Sequence, residues 1–276
     1  MVGFGRARIL NRMNTSPSPA HPVEDRRLPV TGPRSYREAL ARTTSAQKTS
    51  KAAPAYSRYV NRAAGRRLAA VAYKLGLSPT QVTLISGAFT FLGIICLAVF
   101  RPSFALGVLV TASLLFGYAL DSADGQLARL TGTSSLAGEW LDHMVDATKL
   151  ASMHLAVLIS VFRFDHLSSN AYLLVPLGFS IVQSVLFFGM ILNDQLRRVT
   201  QATTGRPTPG PQRTSTLRSL LVAPTDYGLV CGVFLLLGWQ TGFLVAYAAL
   251  FVAHVAFLAL ASVKWYRDIA ALSQPS

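Results

Sequence analysis

Long apolar runs dominate the chain from residue 82 onward, and their lengths indicate the class of fold. Six of them approach the roughly 20 residues that an α-helix needs to cross about 30 Å of hydrocarbon. They cover residues 82–100, 104–120, 138–162, 171–192, 227–239 and 243–263. Polar or helix-breaking stretches separate the runs, and the first is Arg101-Pro102-Ser103. The pattern predicts an all-α integral membrane protein with six transmembrane helices, of which the fifth is short.

A different periodicity precedes the first apolar run. Arg58, Arg62 and Arg66 recur at helical spacing, while apolar residues fall broadly on another face. This pattern predicts an amphipathic helix that lies at the membrane interface. Gly76 and the Ser-Pro pair that follows it favour a cap and a turn before the first span. Residues 56–81 are therefore interpreted as a juxtamembrane helix and turn.

The remaining parts of the chain divide by composition. Residues 1–55 mix Pro, Ser, Thr, Ala and Arg without sustained periodicity, so we expect a disordered cytoplasmic tail that is dispensable for chemistry. A second Pro-rich and Gly-rich stretch over residues 197–224 is expected to be a flexible loop. Residues 82–268 form the predicted six-helix membrane domain.

Basic residues lie almost entirely on one side of the predicted spans. Fifteen of the 26 Lys and Arg residues precede the first span. With an even number of spans, both termini lie on one side of the membrane, and 23 of the basic residues lie in segments on that side. Only two lie in the opposite turns. Because Lys and Arg concentrate in cytoplasmic segments, both termini are predicted to be cytoplasmic. We expect a multi-pass protein of the plasma membrane.

The net charge of +14 is interpreted from the same one-sided distribution of Lys and Arg. Basic residues at the cytoplasmic boundary gain about 1 kcal/mol each from anionic lipid, so membrane lipids are the expected partner of this charge. The aromatic and basic interleaving that typifies RNA-binding segments is lacking. Nucleic-acid binding is therefore not expected.

Acidic residues are scarce, yet a third of them are concentrated in one segment. Of 12 in the chain, four are aspartates that fall within 26 positions, namely Asp121, Asp124, Asp142 and Asp146. Each pair has the spacing of residues on one face of a helix. Two neighbouring helices can thus direct four carboxylates to one point, at the cytoplasmic end of the second and third spans.

Such a cluster calls for cations. Carboxylates at a membrane edge repel one another and are costly to desolvate. Oxygen ligands suit Mg²⁺ or Mn²⁺, and a cluster of this size can hold two ions. Two metal ions stabilise the charge that develops in phosphoryl transfer. The segment therefore predicts a two-metal site, and its cytoplasmic position predicts a cytoplasmic active site.

Neighbouring residues suit a nucleotide diphosphate. Gly125, Ala128 and Gly138 have little or no side chain, which allows a ligand to approach the backbone. Arg129 offers a planar set of donors for phosphate oxygens. Taken singly, each small residue has a simpler explanation in helix packing.

These residues carry a family resemblance. The segment is similar to the pattern D-x2-D-G-x2-A-R-x8-G-x3-D-x3-D of CDP-alcohol phosphotransferases (CDP-alcohol phosphatidyltransferases), with every fixed position present. The matching residues are Asp121, Asp124, Gly125, Ala128, Arg129, Gly138, Asp142 and Asp146. Six spans and a preceding amphipathic helix also resemble this family, over about residues 57–268.

The resemblance implies a membrane-embedded transferase of phospholipid biosynthesis. Such an enzyme moves the phosphatidyl group of a CDP-linked lipid donor, first of all CDP-diacylglycerol, to a small alcohol acceptor and releases CMP. The alternative is transfer from a CDP-choline, CDP-ethanolamine or CDP-polyol donor to diacylglycerol or another acceptor. A homodimer is also implied.

The resemblance further implies roles for individual residues. Asp121, Asp124 and Asp142 would be metal ligands, and Asp146 would be both a ligand and the catalytic base. The nucleotide-binding set would be Asp121, Asp124, Gly125, Ala128, Arg129 and Gly138.

Residues for the acceptor are less clearly marked. Lys149, which is costly inside a membrane, either lies near the substrate or pairs with a carboxylate. Arg197 and Arg198 are candidates to bind a phosphorylated acceptor, although ordinary cytoplasmic anchoring also explains them.

Two other classes of protein place acidic residues in membranes. A transporter usually shows repeated halves with broken helices near the midplane, and this chain shows no such repeat. An intramembrane prenyltransferase would bind diphosphate through Mg²⁺, but it does not require the Ala-Arg and Gly elements found here. The enzyme of the CDP-alcohol type is therefore the favoured interpretation.

Overall fold

The computed structural model describes residues 28, 34–45, 54–164, 169–204 and 225–272. Within these ranges the regular structure is helical throughout, without a strand. The α-helices are, in chain order, α1 (Tyr36–Ser45), α2 (Arg62–Leu75), α3 (Pro79–Val99), α4 (Phe104–Thr131), α5 (Leu136–Phe164), α6 (Leu174–Thr204), α7 (Tyr227–Val233) and α8 (Gln240–Leu272). The prediction of an all-α architecture is confirmed.

Five helical segments are long and apolar enough to cross a membrane. They are α3, α4, α5, α6 with the 3₁₀ turn Asn170–Leu173 before it, and α8. The chain is therefore an integral membrane protein. The predicted fifth span corresponds to α7 and the 3₁₀ turn Phe234–Gly238, which together are apolar but shorter. The count of six spans stays a prediction that depends on how this segment lies in the bilayer.

Several helices continue past the apolar runs into polar sequence. Helix α4 extends to Thr131 and carries its aspartates and Arg129 on its last turns. Helix α6 extends to Thr204, so the expectation of a loop from residue 197 is wrong for 197–204. One reason is an ion pair between Arg198 and Asp194, at i, i+4 and 2.7 Å, which suits a helix. The rest of the expected loop, 205–224, lies outside the described residues.

The segment before the first span is helical, with well-formed ends. A π-helical turn, Ser57–Asn61, leads into α2, and Gly76 terminates α2 in the left-handed conformation with φ of 78°. Ser78 then starts α3: its hydroxyl accepts from the backbone N–H of Gln81, and its own N–H donates to the Gln81 side chain. These caps satisfy helix-end groups and set the direction of the chain. The interfacial position of α2 stays a prediction.

Part of the segment expected to be disordered forms ordered structure. Helix α1 packs against α2, with Ala39 fully buried. Leu28 is also buried, and its N–H donates to the carbonyl oxygen of Leu130 near the end of α4, at 2.9 Å. The prediction of disorder is therefore wrong for residues 34–45. The residues on the packed face of α1 recur at helical spacing, namely Tyr36, Ala39, Leu40 and Thr43. The other residues of the expected tail up to 53 lie outside the described residues.

Two glycines bring neighbouring helices against α4 close to its aspartates. A Cβ on Gly117 would overlap the hydroxyl of Thr90 in α3, and the Ser86 hydroxyl donates to the Gly117 carbonyl at 2.8 Å. A Cβ on Gly65 of α2 would lie 2.7 Å from the Ser122 hydroxyl. Close helix approach of this kind requires residues without a side chain. Helices α2 and α3 therefore hold the part of α4 that bears the acidic motif.

Asp226 connects the segment before α2 to the start of α7. It caps α7 by accepting from the N–H of Gly228 at 3.1 Å. Its other oxygen accepts from the N–H of Tyr56 at 2.8 Å. The start of α7 is thereby fixed beside the helical turn that precedes α2.

Candidate metal centre

The four aspartates of α4 and α5 lie in one continuous acidic cluster. One carboxylate oxygen from each of Asp121, Asp124 and Asp142 lies within 4.8 Å of the other two. Ligand atoms of Asp142, His143 and Asp146 form a second group at the same spacing. Since Asp142 belongs to both groups, the two helices direct all four carboxylates to one region.

Asp124 is the most closely held of these side chains. It is buried, and its Oδ2 accepts from the Thr83 hydroxyl of α3 at 2.6 Å. Its Oδ1 accepts from the N–H of Gly125 at 2.5 Å. A carboxylate oxygen has two lone pairs, so each oxygen retains capacity for a cation. The two donors therefore orient the carboxylate without excluding coordination.

Lys149 lies on α5, just beyond Asp146, and its side chain is buried. The Nζ atom is 2.5 Å from Oδ1 of Asp146 and 3.3 Å from Oδ1 of Asp121. It also lies 5.6 Å from the centre of the Tyr227 ring. Of the two alternatives left open by the sequence, pairing with carboxylates is the arrangement that the structure contains.

The residues present suit divalent metal ions. Oδ1 of Asp142 is buried, and it has no hydrogen-bond partner among the residues that the structure describes. A buried carboxylate oxygen in a group of negative charges needs a positive partner, and Lys149 contacts only Asp121 and Asp146 of the four. Carboxylates are the ligands that Mg²⁺ and Mn²⁺ favour. The cluster therefore fits hard divalent cations.

The small residues of the motif lie beside the cluster, as their sequence positions require. A Cβ on Gly125 would lie 3.4 Å from Nη1 of Arg129, and one on Gly138 would lie 3.1 Å from the Ser135 hydroxyl. Arg129 is exposed on the last turn of α4. A side chain at either glycine would therefore narrow the space next to the carboxylates or displace Arg129. Nucleotide binding by this set stays a prediction.

Arg197 and Arg198 take part in different ion pairs. Arg197 contacts Asp268 of α8 at 2.7 Å. Arg198 contacts Glu139 of α5 at 2.8 Å. Because Glu139 precedes Asp142 by about one helical turn, Arg198 is directed toward the helix that carries part of the cluster. Arg197 instead joins α6 to α8, and acceptor binding by either residue stays a prediction.

Two residues of the cluster's surroundings were not singled out from the sequence. His143 follows Asp142 directly, and its Nδ1 is buried without a hydrogen-bond partner among the described residues. Its place between two motif aspartates is a signal that sequence reasoning could have used. Thr83 carries no such signal, because a threonine in an apolar span is ordinary, and only the packing of α3 on α4 brings it to Asp124.

The acidic motif lies within the region over which this chain is similar to known proteins. The sequence matches the profile of the CDP-alcohol phosphatidyltransferase family over residues 77–261, which is more than half of the chain and contains the whole acidic motif. A relative in Schizosaccharomyces pombe, described as an uncharacterized CDP-alcohol phosphatidyltransferase class-I family protein, is 32% identical over 102 residues. That alignment covers 34% of this chain and 26% of the relative, so the chain matches about a quarter of that protein's length.

Two crystal structures of the phosphatidylinositol phosphate synthase of Mycobacterium tuberculosis are also similar. One, in complex with manganese and citrate, is 18% identical, with 76% of this chain and 91% of that chain covered and a TM-score of 0.48. The other, with CDP-DAG bound, is 17% identical, with 79% and 98% covered and a TM-score of 0.49. Because both TM-scores are below 0.5, the family assignment rests on the profile match and on the motif residues that it contains. This chain belongs to the CDP-alcohol phosphatidyltransferase family, a family of phosphotransferase enzymes.

Proposed function

We propose that the protein transfers the phosphatidyl group of a CDP-linked lipid donor, CDP-diacylglycerol, to an alcohol acceptor and releases CMP. The observation that carries the proposal is the convergence of four motif carboxylates from α4 and α5, within a chain of this family. The reaction would serve phospholipid biosynthesis.

The acidic cluster provides the metal ligands in this proposal. Asp121, Asp124 and Asp142 would hold Mg²⁺ or Mn²⁺, with Asp146 at the edge of the same group, and the cluster has enough carboxylates for two ions. When bound, the ions would stabilise negative charge on the diphosphate. Thr83 and Gly125 would keep the Asp124 carboxylate oriented for this task.

The donor nucleotide would bind beside these carboxylates. Gly125, Ala128 and Gly138 would leave room for the cytidine and diphosphate, and Asp121 and Asp124 would contribute through the metal ions. Arg129 is placed at the exposed end of α4, where its guanidinium would pair with phosphate oxygens.

The chemical step follows from the groups that are present. The acceptor hydroxyl oxygen attacks the phosphorus atom that bears the diacylglycerol group, and the bond between that phosphorus and the bridging diphosphate oxygen breaks. CMP leaves with the bonding electron pair, and the hydroxyl proton passes to the Asp146 carboxylate. Asp146 lies next to Asp142 in the cluster, as this role requires.

The acceptor would enter from the side of α5 and α6. Arg198, which already reaches Glu139, is the better placed of the two arginines to bind a phosphorylated acceptor such as glycerol phosphate or inositol phosphate. Arg197 is paired with α8 and is the weaker candidate. Lys149 is paired with two motif carboxylates, which favours a task within the cluster over acceptor binding.

The cellular setting completes the proposal. The distribution of Lys and Arg supports cytoplasmic termini and a cytoplasmic active site. Location in the plasma membrane is part of the same proposal. The family resemblance supports a homodimer.

Purified protein tests the reaction directly. CDP-diacylglycerol with Mg²⁺ or Mn²⁺ would be incubated separately with serine, glycerol phosphate, inositol phosphate and inositol, and CMP release and lipid products would be measured. We expect one acceptor to yield a phospholipid and stoichiometric CMP, with loss of turnover in excess chelator. CMP release only from CDP-choline or CDP-ethanolamine with diacylglycerol would instead establish the other donor class. Turnover that persists in excess chelator would refute the metal assignment.

A further inference from the structure

A buried ammonium group forms part of the acidic cluster. Lys149 is 5% exposed, and its Nζ contacts carboxylates from both α4 and α5 while facing the Tyr227 ring of α7. Three helices thus converge on one cation. A lysine at this depth is costly unless it is paired, so its position reflects the groups around it.

The two ion pairs of Lys149 are unequal. The Nζ to Oδ1 distance is 2.5 Å for Asp146 and 3.3 Å for Asp121. Asp146 is therefore the closer ion-pair partner, and the ammonium contacts one of its two oxygens, while its hydrogen bond goes to Asp121. A ligand atom of Asp146 lies within 4.8 Å of one on Asp142, so metal ions held by the cluster would also attract Asp146.

This competition matters for a base. A carboxylate that gives both oxygens to divalent cations accepts protons poorly, whereas one held by an ammonium group on one oxygen keeps the other available. Resting on the proposed function, we propose that Lys149 is a positioning residue that competes with the metal ions for Asp146 and reserves its second oxygen for the acceptor hydroxyl.

Two other tasks for Lys149 give different results on mutation. A residue that binds the acceptor would change the acceptor KM and leave metal affinity alone. A residue that only stabilises the fold would, when replaced, weaken metal binding as the cluster loosens. A competitor predicts the opposite sign, because removal of a positive charge next to a cation site strengthens cation binding.

The test measures Mn²⁺ affinity by electron paramagnetic resonance on purified, full-length protein in lipid nanodiscs, together with kcat and the acceptor KM. The variants are Lys149→Met, which removes the charge, and Lys149→Arg, which keeps it. Lys149→Gln serves as a second neutral variant if the methionine variant does not fold. Lys264→Met is the matched control, since Lys264 is a half-exposed lysine that pairs with Asp268 on the same helix.

We expect Lys149→Met to bind Mn²⁺ about tenfold more tightly. Its kcat should fall to about one tenth of the wild-type value or below, and its acceptor KM should change little. Lys149→Arg should keep the Mn²⁺ affinity and kcat close to those of the wild type, and Lys264→Met should leave these two quantities unchanged. Weaker or unchanged Mn²⁺ binding in the neutral variants would overturn the proposal, as would tighter binding with unchanged kcat. If the wild type shows no transferase activity, the proposed function fails, while the Mn²⁺ titration still decides whether Lys149 opposes metal binding.

Discussion

The hydroxyl of Thr83 in α3 donates a hydrogen bond of 2.6 Å to Oδ2 of Asp124 in α4. Both side chains are buried. A helix that bears none of the motif residues therefore orients one of the proposed metal ligands.

Thr83→Val keeps the shape of the side chain and removes this donor. Hydrogen bonds to charged groups contribute about 1.5–3 kcal/mol, so we expect Mn²⁺ affinity to fall by about tenfold or more. Thr111→Val is the control, because it removes a buried hydroxyl that donates to the Cys231 carbonyl instead. A Mn²⁺ titration of both variants measures the effect, and equal affinities would contradict an orienting role for Thr83.

Gly65→Ala tests the close approach of α2 to α4. The added Cβ would lie 2.7 Å from the Ser122 hydroxyl and 2.8 Å from Nε2 of Gln126, so α4 must shift near its aspartates. We expect a loss of about 1–3 kcal/mol in stability, together with reduced CMP release. Gly232→Ala is the matched control, because nothing lies within 4 Å of a Cβ there. Thermal unfolding in detergent compares the two, and similar melting temperatures would refute the tight contact.

Arg129→Lys tests phosphate recognition at the end of α4. An ammonium group keeps the charge but lacks the planar pair of donors, so a higher donor KM or a lower kcat is expected. Arg163→Lys provides the control, since Arg163 donates to the Ala98 carbonyl near the opposite end of the bundle. Steady-state kinetics with varied CDP-diacylglycerol make the comparison. Unchanged kinetics would indicate that Arg129 serves only as an interfacial anchor.

Asp146→Asn tests the proposed base. The amide keeps the shape and removes most of the basicity, so kcat should fall by about 10²-fold or more. Donor affinity should suffer less than in Asp121→Asn, because Asp121 lies within the three-aspartate ligand group. Single-turnover rates and donor binding separate the two effects. Near-normal kcat combined with a collapse of donor affinity would mean that Asp146 is a ligand only.

The predicted membrane topology can be tested by cysteine labelling. In a variant without Cys96 and Cys231, cysteines placed at Asn170 and Thr204 mark opposite ends of the fourth long span. A membrane-impermeant thiol reagent applied to intact cells should label position 170 and spare position 204, because the Lys and Arg distribution places the second with the termini. The reverse pattern would overturn the topology.

The sequence alone predicted the all-helical membrane class, since apolar run length directly reports what can cross a bilayer. It also located the four aspartates at spacings that suit one helix face. Boundaries were less accurate where helices continue into polar sequence, as in α4 and α6, because charged residues can extend a helix without any apolar signal. The short helix α1 was missed although its packed residues recur at helical spacing, because they cover only ten positions within a largely polar, Pro-rich segment.

Tertiary structure decided which groups surround the aspartates. Thr83 and Lys149 are 66 positions apart in the chain, and neither spacing nor residue type relates them. The packing of α3 on α4 brings the first to Asp124, and the position of α5 beside α4 brings the second to Asp121. The contact between Lys149 and Asp146 instead follows from their i, i+3 spacing on α5. The sequence determined the chemistry available because residue identity sets charge and ligand type. The arrangement of these groups around the aspartates depends on long-range contacts between helices, which local patterns do not encode.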